Sequence, residues 1–266
     1  MNIGIVNKKT ETAKRLSLSL SQWLRKRGHS VFNISDVEYL PDIEFVIVVG
    51  GDGTLLHTAR LLRGREIPIL GINMGGLGFL TETSVDDAKS AIEKAIKGEC
   101  SVSRRMMCDV KLERKGSIIL EEKVLNDAVI TKGKIARMIE MEAFVGNTKL
   151  SSYRADGLIV STPTGSTAYV LSAGGPIVSP DLDCMVLCPI CPHTLTNRPL
   201  VISAEADVSV VMLSEKDIYL TLDGQQAYSL KKNDRVIISR SLAKTCLITF
   251  KNFFDVLKNK LHWGER

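Results

Sequence analysis

The stretch FVIVVGGDGTLLHTAR, residues 45–60, sets Asp52 between Gly51 and Gly53 where an apolar strand turns into a helix. Glycine loops of this kind free backbone N–H groups to meet a phosphate, and a carboxylate there repels the same anion. Two readings account for it. The aspartate can cap the helix, or it can address a hydroxyl or a metal-bound phosphate. The second suits an alcohol about to attack a phosphoryl group, because a carboxylate accepts the hydroxyl's hydrogen bond and then its proton. On that reading the loop serves a phosphoryl acceptor as well as a donor.

Three further stretches carry polar groups in unusual company. GINMGGLGFL, residues 71–80, gathers Gly75, Gly76 and Gly78 after another strand. Loops at that end of a parallel sheet line the ligand crevice, although a tight turn explains clustered glycines equally well. LNDAVI, residues 125–130, places Asn126 beside Asp127 in an apolar strand. Neighbours on a strand face opposite ways, so one of the two must be satisfied in the core or used on a ligand. An amide supplies the donor and acceptor that read an adenine edge or fix a ribose. YRADGLIVSTPTGSTAYVLSAGGP, residues 153–176, clusters Thr162, Thr164, Ser166 and Thr167 around Gly165 before a helix-like start, an arrangement suited to polar ligand groups. Arg154 and Asp156, two apart, share one strand face and could pair or both reach a ligand. Cys188 and Cys191 form a C-x-x-C, but no second pair accompanies them, so zinc lacks ligands unless His193 and a distant group help, and loop packing is expected.

The elements that must hold these groups change character near residue 100. Before it, strands at 2–7, 45–50 and 67–73 alternate with helical patterns at 12–28, 54–64 and 84–98. Such alternation predicts right-handed βαβ units and a parallel sheet. After it come short strands separated by the turn signals ERKG, VGNT, LDGQ and KKND, with one short helix at STAYVLSA. That pattern predicts an antiparallel β-sandwich. The expected fold is an α/β N-terminal domain with a parallel sheet plus a C-terminal antiparallel β-sandwich domain. The expected divisions are 1–98, 99–242 and a helical tail, 243–266, docking on the body.

Composition narrows the partners. With 266 residues, 44% of them apolar, the chain can bury a sizeable core. A net charge of +5 is spread without a polybasic block and aromatics make up only 5%, which favours anionic small molecules over nucleic acid. The start MNIGIVNKK has no apolar run behind basic residues, and no stretch approaches the ~18 apolar residues that span a bilayer. Six cysteines are too sparse for a disulfide scaffold. No membrane association and a cytoplasmic location are the expectation.

Taken together and in order, GGDGTLLHTAR, GINMGGLGFLTE, VLNDAVI, the 153–176 stretch, PICPHTLTNRPLVI and LDGQ resemble the bacterial NAD kinase family, from about residue 2 to residue 263. The first motif alone is shared with diacylglycerol kinases and 6-phosphofructokinases, whereas the second and fourth together are specific. The resemblance implies transfer of the terminal phosphoryl group of ATP, with Mg²⁺, to the 2′-hydroxyl of NAD's adenosine ribose, giving NADP. It implies that the GGDGT loop lies in the α/β domain, that the β-sandwich binds NAD, and that the chain forms a homodimer or homotetramer. By the same resemblance Asp52 is the proton acceptor, Gly53 lies against the dinucleotide, and His57 stands where relatives often carry Arg or Lys. Asn126 and Asp127 match the adenosine-binding pair, although many relatives have Glu at the second position. Arg137, Arg154 and Asp156 match further ligand contacts. So does the run Thr167, Ala168, Tyr169, Val170, Leu171 and Ser172, its first three residues around the adenosine. Gln225 completes the pocket, and no protein metal ligand is implied. A lipid or sugar kinase sharing the GGDGT loop is opposed by the adenosine motifs, and a non-catalytic NAD(P)-binding regulator by the intact Asp52.

Overall fold

Apolar residues at strand and helix spacing build the chain in this order. The first part holds β1 (Asn2–Asn7), α1 (Glu11–Arg25), β2 (Ser30–Asn33), β3 (Phe45–Gly50), α2 (Asp52–Leu61), β4 (Ile69–Asn73) and α3 (Ala88–Lys97). Then come β5 (Ser101–Arg114), β6 (Ser117–Val124), β7 (Asp127–Lys132), β8 (Ile139–Val145), β9 (Thr148–Ala155) and β10 (Gly157–Ser161). A 3₁₀ turn (Thr164–Thr167) leads into α4 (Tyr169–Ser172), followed by β11 (Cys184–Ile190), β12 (Leu200–Ser203) and β13 (Val208–Met212). The chain ends with β14 (Ile218–Leu222), β15 (Gln226–Leu230), β16 (Arg235–Thr249) and α5 (Phe253–Leu261). This computed structural model describes residues 1–35, 40–76, 78–133, 137–194, 196–215 and 217–262. Leu77 of the second glycine motif and the last four residues of the expected tail lie outside the described residues.

The chain divides into two compact units. One comprises Met1–Arg105 with the chain from Lys244 on, and the other Met106–Ala243. In the first unit β2, β1, β3 and β4 lie in that order, all parallel, and Leu247 of β16 pairs in parallel with Ile69 of β4. Strand β3 is buried along its whole length, as a central parallel strand covered on both faces must be. Its Ile47 and Val49 join Ala13, Leu20 and Leu24 of α1 and Ala91 and Ile92 of α3 in one core, each large side chain worth about 1.5–3 kcal/mol of burial. Helix α2 packs on β3 and β4. The helix expected at 12–28 stops at Arg25, with Gly28 beyond it at φ +84°. The one expected at 84–98 starts later, at Ala88, and ends on Gly98 in the left-handed conformation that favours glycine.

In the second unit, β12, β11, β10, β7, β14 and β15 form one antiparallel sheet. In the other layer β13 pairs antiparallel with β8 and with β16, and β8 with β9. Inward residues from both layers, among them Met141, Leu158, Val160, Leu187, Val210 and Leu220, make a single core. The expected sandwich is present. Strand β10 is buried on both faces because Ile159, pointing the other way, packs with Val170 of α4, Val129 and Val186. That second, smaller core is what seats the polar 162–172 segment. Helix α4 is only four residues long, and a tighter 3₁₀ turn takes the place of its expected first turn.

Candidate functional site

In the first unit, Asp52 begins α2 directly after β3. The N-cap is Gly51, whose backbone is extended (φ −128°, ψ −169°), so the capping reading of Asp52 does not hold. Its carboxylate turns away from its own helix. Oδ2 accepts the N–H of Phe79 at 2.9 Å; Oδ1 accepts those of Leu80 at 3.2 Å and Thr81 at 3.0 Å, and the Thr81 hydroxyl at 2.8 Å. The side chain is half-buried, and its position in the first helical turn suits a negative charge. Gly78 belongs to this arrangement, since a Cβ there would overlap Asp52 Oδ1 and Thr81 Oγ1. Its glycine therefore admits a carboxylate of the same chain, a reason that spacing alone does not reveal. Gly53 and His57 follow on α2, both exposed.

In the second unit, Asn126 and Asp127 sit at the start of β7, both buried. Asp223 holds them. Its Oδ1 accepts the N–H groups of Asn126 (2.8 Å) and Asp127 (3.2 Å), and its Oδ2 that of Leu125 (3.1 Å). Asp223 can do so because it stands at φ +50° with Gly224 at +63°, in the turn joining β14 to β15. From the other side, Thr162 N–H and Ser161 Oγ–H donate to the Asn126 carbonyl, both at 2.9 Å. A Cβ on Gly165 would overlap that carbonyl. With its backbone satisfied, Asn126 keeps a buried Oδ1 with no hydrogen-bond partner among the described residues, and so does Thr164 at Oγ1. An orphaned buried polar atom costs about 1–3 kcal/mol, so two of them on adjoining segments call for polar partners that the described residues do not supply. Burial, reinforced by the charge of Asp223, pushes the Asp127 carboxyl up to about 7.

The remaining predicted residues are more dispersed. Arg154, exposed on β9, lies 3.9 Å from Glu140, and Asp156 pairs with Lys132 at 2.7 Å. Each has a different partner: Arg154 faces Glu140 across the β8–β9 pair, and Asp156, between β9 and β10, meets Lys132 at the end of β7, so of the two readings the pairing with one another is not what the structure shows. Arg137 is exposed just before β8, and Gln225 is exposed beside the Asp223 turn, its N–H donating to Leu222 O at 2.9 Å. In the run 167–172, Thr167 Oγ–H donates to Thr164 O, Tyr169 is 43% exposed, and Ala168 bends the chain at φ −100°, ψ −122°. Ser172 is exposed and Leu171 and Ala168 are half-buried, while the Val170 side chain lies wholly in the core. Val170 has only its backbone to offer a ligand. Cys188 is buried and Cys191 exposed. Asp223, Thr81 and Asn73 were not singled out by spacing. LDGQ reads as a turn, and the threonine of GFLTE carries no signal until the fold sets it against Asp52.

No helix among the described residues is long and apolar enough to cross a membrane. Compared with known proteins, residues 40–100 match the family model for the ATP-NAD kinase N-terminal domain, and residues 125–250 that for the ATP-NAD kinase C-terminal domain. The chain is 52% identical to the NAD kinase of Geobacter metallireducens, over 86% of this chain and 82% of that one. It is 45% identical to the NAD kinase of Geotalea daltonii over 99% and 95% of the two chains. Among solved structures it is similar to an NAD kinase from Archaeoglobus fulgidus in complex with ATP, with a TM-score of 0.82 and 29% identity, covering 98% of this chain and 99% of that one.

Proposed function

The chain belongs to the NAD kinase family, and from that premise we propose that it transfers the terminal phosphoryl group of ATP to the 2′-hydroxyl of the adenosine ribose of NAD, giving NADP. The observation that carries the chemistry is Asp52, a half-buried carboxylate fixed by donors from residues 79–81. It orients the 2′-hydroxyl by accepting its hydrogen bond. It takes the proton late, because the transition state is loose and charge gathers on the transferring group. Positioning supplies most of the acceleration. Asn126 meets a donor of the adenosine with its unused Oδ1, such as the adenine amino group or a ribose hydroxyl. Asp127, titrating near neutrality, accepts a ribose hydrogen bond when charged and donates one when neutral. Gly53, His57, Arg137, Arg154, Asp156, the run 167–172 and Gln225 are assigned to the remaining contacts with NAD.

Magnesium enters with ATP. The ion is assigned to the triphosphate and its waters. When bound, it neutralises charge on the triphosphate. The sequence has no Walker A motif, so ATP is not held in the P-loop manner. The α/β domain is assigned the GGDGT chemistry and the β-sandwich the NAD contacts, in a cytoplasmic homodimer or homotetramer. Light scattering should then find no fully active species at the monomer mass of 29.2 kDa. The decisive assay incubates purified protein with MgATP and NAD and separates the products. NADP is the expected product. Phosphorylated diacylglycerol or sugar with no NADP would retire the reading in favour of another kinase, and NAD binding without transfer in favour of a regulator.

A further inference from the structure

The hydrogen bonds around Asp52 have a direction that can be worked out atom by atom. Asn73, the last residue of β4, accepts the Gly75 N–H on its Oδ1 at 2.8 Å. That bond settles which end of the amide faces where, since only an oxygen can accept it. The amide nitrogen therefore faces Thr81, donating to Thr81 Oγ1 at 2.8 Å and to its carbonyl at 3.2 Å. Because Oγ1 receives a hydrogen from Asn73, its own hydrogen points to Asp52 Oδ1, 2.8 Å away. Thr81 is fully buried and Asn73 nearly so, so water does not compete for these bonds.

The consequence falls unequally on the two oxygens of Asp52. Oδ1 takes three donors, from Leu80 N, Thr81 N and Thr81 Oγ1, which more than fills its two lone pairs. Oδ2 takes one, from Phe79 N, among the described residues. Resting on the kinase reading of Asp52, we infer that Oδ2 is the atom that receives the substrate proton, and that Asn73 and Thr81 are positioning residues that saturate Oδ1 and aim Oδ2. In the step so assigned, the 2′-hydroxyl's O–H bond breaks and its proton passes to Oδ2. The 2′-oxygen bonds to the γ-phosphorus of ATP, and the bond from that phosphorus to the β–γ bridging oxygen breaks, its electron pair leaving on ADP. Thr81 does not carry the proton onward, because its hydroxyl is already the donor toward Asp52.

Thr81→Val keeps the shape of the side chain and removes the hydroxyl. At saturating MgATP it should lower kcat roughly tenfold or more while KM for NAD stays within about twofold. Thr81→Ser, which retains the hydroxyl, should recover kcat to within about threefold of wild type. Asn73→Asp is the second probe, for use if the valine variant does not fold. Its carboxylate can still accept the Gly75 N–H but cannot donate to Thr81, so the threonine hydrogen turns away from Asp52 and kcat should fall with NAD affinity retained. A folded Thr81→Val or Asn73→Asp protein with wild-type kcat overturns the inference. So does a serine variant as slow as the valine, or a loss confined to KM. Wild type assayed alongside separates the two levels: NADP from wild type with no effect of the variants removes only the inference, and no NADP from wild type removes the kinase reading beneath it.

Discussion

Asp52 and Asp223 receive the same treatment from the backbone, and yet different ends are proposed for them. Each carboxylate accepts the N–H groups of three successive residues, 79–81 in one case and 125–127 in the other. Each thereby pins a short stretch beside a regular element, where backbone N–H groups need an acceptor. The difference is exposure and loading. Asp223 is 8% exposed, and its turn is closed by Gly224 in the left-handed conformation, so it acts inward as a clamp on the Asn126–Asp127 segment. Asp52 is half-buried, and its Oδ1 takes the Thr81 hydroxyl in addition to backbone donors while its Oδ2 takes the Phe79 N–H. A cradle of amides is thus not by itself a mark of catalysis. It makes a carboxylate rigid, and the oxygen left accessible decides whether rigidity serves the fold or the reaction.

The comparison can be sharpened from its buried side, where the largest change in stability is expected. Asp223→Ala leaves three N–H groups without their acceptor, and should cost about 3–5 kcal/mol of unfolding free energy. Chemical denaturation would read this directly; a variant as stable as wild type would mean that the clamp is incidental. Next in size is the pH dependence carried by Asp127. Its carboxyl is raised from 3.8 to about 7 in the folded chain, so the folded state holds that proton more tightly than the unfolded one. The associated stability is complete below the unfolded value and is lost as pH rises through about 7. Melting curves between these limits should show wild type losing on the order of 4 kcal/mol that Asp127→Asn does not lose. Equal slopes for the two proteins would show that the carboxyl is not buried with its proton. Smallest is Asn126→Ala, which should weaken NAD binding by about 1–3 kcal/mol with little change in turnover. Calorimetry giving wild-type affinity would return Asn126 to a structural role.

Much of this is legible in the sequence. Alternating strands and helices up to residue 98 and short strands after it announced a parallel and an antiparallel unit, because period and turn chemistry are local properties. Asp52, Asn126 and the 162–167 hydroxyls stood out because polar groups beside apolar strands need a reason. What stayed hidden was non-local. Thr81 and Asp52 are 29 residues apart and Asp223 and Asn126 are 97 apart, so no window of sequence contains either bond. Gly78 reads in sequence as a ligand-crevice or tight-turn glycine, and it is needed for a close approach within the chain. Arg154 and Asp156 share a spacing but not a partner, because Arg154 has Glu140 opposite it across the β8–β9 pair and Asp156, past the end of β9, meets Lys132.

The central claim is that Asp52 does chemistry as well as holding residues 79–81, and turnover by Asp52→Asn tests it most directly. The variant keeps the side chain's size, but an amide nitrogen must then face one of the N–H donors, so some loss of thermal stability is expected with it. The measurement is therefore made on folded protein, below its melting temperature, with NAD affinity determined by calorimetry on the same sample. If Asp52 accepts the proton, NAD binds nearly as well as to wild type while NADP formation falls by roughly 10²–10⁴-fold. Wild-type turnover in the folded variant would contradict the account and leave Asp52, like Asp223, a clamp.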